Sequence, residues 1–203
     1  MATDTTICVI DDDGMVRDSL RELLESADYA VEDYDSAIRF LASDAVSRSR
    51  CLIVDVRMPE MDGLALQREL VKRGHRVPVI VVTGHGDVPL AVRAMKAGAA
   101  DFLEKPFNDE TLLASIRMAL QSAAYPATEN PAAPVVVARM KLLTDREREV
   151  LDLLVLGHAN KVVAQRLSIS FRTVEIHRAR VLSKMEARSI AELVRMVLAV
   201  RPD

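Results

Sequence analysis

Short apolar runs that do not alternate with polar residues are the main pattern of the first 122 residues. There are five, of which the second is more polar and the fifth weaker: Ile7–Ile10, Val31–Tyr34, Cys51–Val54, Val79–Val82 and Phe102–Leu103. Between them apolar residues recur at helical spacing, as at Val16, Leu20 and Leu23. Apolar strands separated by helices predict a parallel sheet covered on both faces. Residues 1–122 are therefore predicted to form a five-stranded, doubly wound α/β domain.

The pattern changes after residue 122. Residues 123–139 contain three prolines and several small residues without a helical period, which predicts a semi-extended linker. Its one apolar stretch, Val135–Val137, is a candidate for docking on a neighbouring surface.

Residues 140–203 have a helical pattern throughout and predict an all-α domain. Thr144 with Glu147, and Ser189 with Glu192, have the spacing of capping boxes, and Ser170 is a candidate N-cap. These signals predict four helices, over residues 145–156, 160–167, 171–185 and 190–200. The second and third helices are joined by a three-residue turn.

Composition separates the two halves further. The chain is 50% hydrophobic and 28% charged, as in ordinary globular proteins. Residues 1–122 carry 14 basic and 21 acidic side chains, whereas residues 140–203 carry 12 and 8. A basic second domain suggests a polyanionic partner. The two cysteines lie in apolar runs and are expected to be reduced core thiols. No membrane span or signal peptide is recognised, so we expect a cytoplasmic protein.

Polar side chains directly follow four of the predicted strands. In a doubly wound sheet, ligands bind at the carboxyl ends of the strands. The side chains expected to meet there are Asp11, Asp12, Asp55, Thr83 and Lys105. Three acids, a hydroxyl and an ammonium suit a magnesium ion and a phosphoryl group. Asp13 and Asp62 are instead expected to be turn or helix-capping residues.

Three motifs in this half resemble the receiver domains of two-component response regulators. They are VIDDD, VDVRMPEMDG and VVTGHGDVPLAVRAMKAGAADFLEKPF, which begin at residues 9, 54 and 81. The resemblance covers residues 5–122 and implies that Asp55 accepts a phosphoryl group from a sensor histidine kinase. Such a transfer depends mainly on positioning and on charge neutralisation.

The resemblance also assigns roles around Asp55. Magnesium would be held by Asp11, Asp55 and the backbone carbonyl of Arg57, with Asp12 acting directly or through water. Lys105 would pair with the phosphoryl oxygens, and its bond to Pro106 would be cis.

The resemblance also assigns residues that leave room for the phosphoryl group and residues that transmit the signal. Gly84 would leave room for the phosphoryl group. Thr83 and Phe102 would form the switch that transmits phosphorylation to a dimerisation surface. That surface would consist of the helix from Val88, the fifth strand and the helix from Asn108. His85 is expected to be a loop residue at the rim of the site.

The second half resembles the helix-turn-helix domain of the LuxR-type transcription factors. The motif is LTDREREVLDLLVLGHANKVVAQRLSISFRTVEIHRARVLSKM, from residue 143 to residue 185. Joined to the receiver, it makes the chain similar to the NarL/FixJ subfamily. Val163 stands where isoleucine is more usual, a conservative core change.

Helical geometry then separates the two faces of the predicted recognition helix. Val174, Val181 and Met185 share an inward face. The opposite face predicts base contacts from Arg172, Glu175, Ile176 and Ala179. The predicted phosphate contacts are Lys161, Thr173, His177 and Lys184. Part of the apolar stripe on the last helix is a candidate dimer contact.

The sequence thus predicts a transcription factor that phosphorylation of Asp55 releases from inhibition. The expected partners are a sensor histidine kinase, promoter DNA, a second copy of the chain when phosphorylated, and RNA polymerase. No enzymatic turnover is expected beyond self-phosphorylation and self-dephosphorylation. One alternative is a DNA-binding regulator independent of phosphorylation. Another is a magnesium-dependent aspartyl phosphatase, which is disfavoured because Arg57 stands where such enzymes carry a second acid.

Overall fold

A computed structural model of the chain describes residues 5–84, 86–124 and 133–201. Its five strands form one parallel sheet in the order β2-β1-β3-β4-β5. They are β1 (Thr6–Ile10), β2 (Ala30–Tyr34), β3 (Cys51–Asp55), β4 (Val79–Thr83) and β5 (Asp101–Glu104). The predicted doubly wound sheet is confirmed. The central strands β3 and β4 are buried along their whole length, which explains why their sequences do not alternate.

Six helices accompany the strands in the sequence. They are α1 (Gly14–Ser26), α2 (Ala37–Leu41), α3 (Ala45–Arg48), α4 (Gly63–Lys72), α5 (Val88–Lys96) and α6 (Asp109–Ala124). Leu24 of α1 and Ile116 of α6 pack with Ile7, Ile53 and Ile80 of the sheet in one apolar core. The strand ends that carry the polar side chains are thereby held by a rigid support.

The two cysteines are buried and unpaired, as predicted. In the register of β1 and β3, Ile7 lies beside Cys51 and Cys8 lies beside Leu52. Because successive side chains of a strand point to opposite faces, the two thiols lie on opposite faces of the sheet. The Cys8 thiol and the Ser49 hydroxyl are hydrogen-bonded at 3.0 Å.

The C-terminal part is helical. Its helices are α7 (Ala133–Lys141), α8 (Asp145–Val155), α9 (Asn160–Leu167), α10 (Phe171–Met185) and α11 (Ile190–Leu198). The last four correspond to the predicted helices. The capping box of Thr144 and Glu147 is confirmed. At α11 only half of the predicted box forms, because the Glu192 carboxylate accepts from the Arg188 N–H while the Ser189 hydroxyl accepts from the Glu192 N–H.

The prediction of a semi-extended linker is wrong for residues 133–139, which belong to α7. Residues 123 and 124 continue α6, and residues 125–132 lie outside the described residues. Val136 and Met140 of α7 pack with Leu143, Leu151 and other residues of the C-terminal core. The spacing of four between Val136 and Met140 places these side chains on one face of α7, and Leu143 lies just beyond the end of the helix. This burial stabilises the helix.

The chain divides into two compact units. One comprises residues 1–85 and 97–126, and the other comprises residues 86–96 and 127–203. Helix α5 therefore groups with the C-terminal helices. Among the described residues, no helix is long and apolar enough to span a membrane.

Candidate functional sites

Asp11, Asp55 and Lys105 meet at the carboxyl ends of β1, β3 and β5. The Lys105 ammonium donates to Asp11 Oδ2 at 2.7 Å and to Asp55 Oδ1 at 3.1 Å. Both carboxylates are buried, with exposed fractions of 2% for Asp11 and 7% for Asp55. The structure thus brings together three of the predicted side chains, from positions far apart in the sequence.

The remaining carboxylate oxygens are bonded to the backbone. Asp11 Oδ1 accepts from the Asp13 N–H at 2.9 Å, and Asp55 Oδ2 accepts from the Arg57 N–H at 2.5 Å. These bonds fix the direction of each carboxylate. The turn that follows β3 therefore curls back towards the Asp55 side chain.

Burial and charge act against each other in this crevice. Burial raises the pKa of Asp55 above its ordinary value, although Lys105 and the Arg57 N–H act in the opposite direction. Burial also acts to lower the pKa of Lys105, but Asp11 and Asp55 outweigh it and raise that pKa. Lys105 therefore stays an ammonium and offsets the repulsion between two neighbouring acids.

The neighbouring aspartates have different surroundings. Asp12 is exposed, and the described residues contain no group of three or more histidine, cysteine, aspartate or glutamate side chains placed to hold a metal ion. Asp13 caps α1 by accepting from the Met15 N–H, and Asp62 caps α4 by accepting from the Ala65 N–H. The capping roles predicted for Asp13 and Asp62 are confirmed.

Thr83, Gly84 and Phe102 lie where the sequence predicts them. Thr83 ends β4 and is 1% exposed, and Phe102 is a buried residue of β5. Apart from Gly84 itself and its two chain neighbours, no heavy atom of the described residues lies within 4 Å of the position that a Cβ on Gly84 would occupy, so there is space at this point. The bond between Lys105 and Pro106 is cis, as predicted. His85 lies outside the described residues.

Gly63, at the start of α4, is a residue of this site that sequence reasoning missed. A Cβ on Gly63 would lie 2.3 Å from the carbonyl oxygen of Asp55 and 2.9 Å from Val54 Cγ1. The Gly63 N–H also donates to the Val56 carbonyl at 3.0 Å. Helix α4 therefore approaches the backbone of Asp55 as closely as it does because residue 63 has no side chain.

The two faces of α10 are as predicted. Val174, Val181 and Met185 are fully buried. The exposed residues that were predicted to read bases are Arg172, Glu175, Ile176 and Ala179. The exposed face also contains Phe171, which is 50% exposed, and Arg180, two residues that the sequence reasoning left out. Their place on the exposed face could have been found from the helical period.

The predicted phosphate contacts have unequal surroundings. Lys161 is exposed, and its side chain forms no hydrogen bond or ion pair within the described part of the chain. Thr173 is held at the start of α10, where its N–H donates to the Ser170 hydroxyl. The Nδ1 atom of His177 is buried and lacks a partner among the described residues. Lys184 is bonded within its own unit, to Glu147 and to the Leu142 carbonyl.

Comparison with known families identifies the class. Residues 7–117 match the response regulator receiver domain, and residues 141–197 match the bacterial regulatory proteins of the luxR family. The chain belongs to the response regulators of two-component systems that carry a LuxR-type DNA-binding domain. Its function is accordingly that of a response regulator transcription factor.

Individual relatives make the resemblance more specific. The chain is 52% identical over 190 residues to the transcriptional regulatory protein FixJ of Azorhizobium caulinodans, covering 94% of this chain and 90% of that protein. It is 43% identical over 192 residues to the response regulator protein TodT of Pseudomonas putida, covering 95% and 85%. The crystal structure of full-length FixJ from B. japonicum is 45% identical with a TM-score of 0.56, covering 97% of both chains. The TGHGDVP and RTVEIHRA stretches also make the chain similar to FixJ, the nitrogen-fixation regulator.

Proposed function

We propose that a sensor histidine kinase phosphorylates this response regulator on Asp55. Phosphorylation relieves inhibition of the DNA-binding domain and promotes dimerisation and promoter binding. The observation that carries the proposal is the Lys105 ammonium, which contacts Asp11 and Asp55 together. A cation in this position can pair with the carboxylate before the transfer and with the oxygens of the attached phosphoryl group after it.

Magnesium is the metal that this donor set fits. It binds through one or two carboxylates and keeps several waters, and Asp11 and Asp55 supply two buried carboxylates in one crevice. We propose that they hold the ion with the backbone carbonyl of Arg57, and that the exposed Asp12 acts through water. When bound, the ion neutralises charge on the transferring phosphoryl group.

The chain's own residues carry the rest of the mechanism. Asp55 is the nucleophile: one of its carboxylate oxygens bonds to phosphorus while the bond from phosphorus to the donor breaks, releasing the kinase histidine or, with acetyl phosphate, acetate. Gly84 provides space beside it, and the buried Thr83 hydroxyl lies at the end of the adjacent strand β4. Thr83 and Phe102 form the switch in this proposal.

The test compares Asp55→Asn with wild type in the presence of magnesium and acetyl phosphate. The control is Asp62→Asn, which also removes one carboxylate but keeps a good N-cap. The DNA probe is a duplex selected from a random pool by the phosphorylated wild-type protein. We expect acetyl phosphate to increase DNA binding and dimer mass for wild type and Asp62→Asn, and to have no effect on Asp55→Asn.

Equal, phosphate-independent binding by all three proteins would refute the switch and favour a regulator independent of phosphorylation. Enzymatic turnover beyond self-phosphorylation and self-dephosphorylation is not part of the proposal, and the relatives are transcriptional regulators. The partners proposed are the kinase, promoter DNA, a second copy of the chain and RNA polymerase, in the cytoplasm.

A further inference from the structure

The C-terminal end of α10 is bonded to the segment that leads into α8. The Lys184 ammonium donates to Glu147 Oε2 at 2.6 Å and to the Leu142 carbonyl at 3.1 Å. The same Oε2 atom accepts from the Thr144 N–H at 2.9 Å. One buried carboxylate, 4% exposed as a side chain, therefore caps α8 and binds α10 at once.

A second contact holds the same end of α10. The Arg139 guanidinium of α7 donates to the Met185 carbonyl at 3.2 Å and forms an ion pair with Glu186. The last carbonyls of a helix lack intrahelical partners, so a cationic donor there is favourable. Helices α7 and α8 thus both fix the last turn of α10.

These contacts leave Lys184 poorly suited to bind DNA phosphate. Two of the three N–H donors of its ammonium are used within the domain. A carboxylate at 2.6 Å also lowers the positive potential that a phosphate would meet. Lys161 has neither disadvantage, because it is exposed and its side chain forms no hydrogen bond or ion pair with a described residue.

We propose that Glu147 and Lys184 are positioning residues for DNA recognition, fixing the C-terminal end of α10 so that its exposed face meets the major groove in one orientation. The proposal rests on the predicted use of that face for DNA. A helix of 15 residues is nearly rigid over its length of about 22 Å, so a tilt at its last turn displaces the side chains at its first. Base contacts lose energy when they are misplaced by a fraction of an ångström.

The test measures affinity for the selected duplex over a range of salt concentrations, using the full-length protein with acetyl phosphate and magnesium. The variants are Glu147→Gln, Lys184→Met and the double variant. Glu149→Gln on the same helix and the exposed Lys141→Met of α7 are matched controls. We expect each test variant to bind about tenfold more weakly with an unchanged salt slope, and the double variant to lose no more than either single one.

The sign of the Glu147→Gln effect is the decisive observation. If Glu147 affects DNA only by repelling its phosphates, removing the negative charge of Glu147 should strengthen binding. If Glu147 positions α10, the same substitution should weaken binding. If Lys184 contacts phosphate instead, Lys184→Met lowers the salt slope by about one and Glu147→Gln does not weaken binding; this result overturns the proposal.

Folding is followed by far-UV circular dichroism. The double variant leaves no buried charge without a partner, so it is expected to fold even where a single variant does not. A folded double variant that binds like wild type also overturns the proposal. If wild type selects no sequence at all, the assigned DNA-binding function fails instead, which keeps the two failures distinguishable.

Discussion

Gly63→Ala should destabilise the first unit at β3, the strand that ends with Asp55. The added Cβ would lie 2.3 Å from the Asp55 carbonyl oxygen. Contacts of a Cβ atom shorter than 3.0 Å essentially do not occur, so this distance is about 0.7 Å too short. The opposing atom belongs to the backbone of a fully buried strand and cannot swing aside. Either the start of α4 or the end of β3 must therefore move.

The size of the effect follows from overpacking. Forcing extra atoms into a well-packed core costs about 1–3 kcal/mol. With a urea dependence of about 1–3 kcal/mol per molar, the unfolding midpoint should fall by roughly 1 M. The rate of phosphorylation by acetyl phosphate should fall as well, because the displaced carbonyl belongs to Asp55, the proposed phosphoacceptor.

The assay uses the tyrosines of the chain. The chain has three tyrosines and no tryptophan, and all three tyrosines precede residue 126. Tyrosine fluorescence therefore follows the unfolding of the first unit in urea. Gly14→Ala is the matched control. Gly14 also begins a helix after an aspartate N-cap, but the nearest atom to its Cβ position, apart from its chain neighbours and the backbone of its own helix, is the flexible end of Arg17 at 3.6 Å. Equal midpoints for the two variants would refute the reasoning.

Three further predictions concern the second unit. Lys161→Ala should weaken binding to all DNA sequences and lower the salt slope by about one, whereas a sequence-selective loss would make Lys161 a base-reading residue. Burial acts to raise the pKa of Glu147, but bonds from Lys184 and Thr144 lower it overall. Its stabilisation is therefore complete above the unfolded pKa of about 4.3 and is lost as pH falls through the folded value. The urea midpoints of wild type and Glu147→Gln, followed by circular dichroism, should converge in acid; a constant difference would contradict this. Met140→Ala should lower the free energy of unfolding by about 2–5 kcal/mol and the exposed Val137→Ala by far less, as measured by the same urea titration. Equal effects would mean that α7 does not belong to the core.

The carboxylate crevice was largely predictable from the sequence. Asp11, Asp55 and Thr83 directly follow apolar runs, and Lys105 follows one after a single residue. In a parallel sheet those strand ends share one edge. The positions of the charged groups therefore follow from local pattern and topology. The individual hydrogen bonds, such as those from Lys105 to Asp11 and Asp55, can be seen only in the folded structure.

Contacts between distant segments were not predictable in this way. Nothing near Gly63 in the sequence shows that the Asp55 carbonyl lies against it. Likewise, Glu147 and Lys184 are 37 positions apart, and each has a sufficient local explanation, as a capping residue and as a surface lysine. In both cases tertiary packing determines the role.

Helix α7 was missed for a different reason. The prolines of residues 123–139 suggested an extended segment, although Val136, Met140 and Leu143 already had helical spacing. Pro134 lies in the first turn of α7, where proline is well tolerated because its missing N–H needs no intrahelical acceptor. The position of a proline relative to the helix start mattered more than the number of prolines.

The placement of the two thiols in the sheet makes the chain convenient for site-specific labelling. Burial raises the pKa of Cys8 and raises that of Cys51 to about 12, so almost no reactive thiolate is present at neutral pH. The native protein should therefore not react with a maleimide, while an added cysteine such as Ser19→Cys on the exposed side of α1 should take up one equivalent. Fluorophores or spin labels can then be attached at chosen positions without first replacing the natural cysteines.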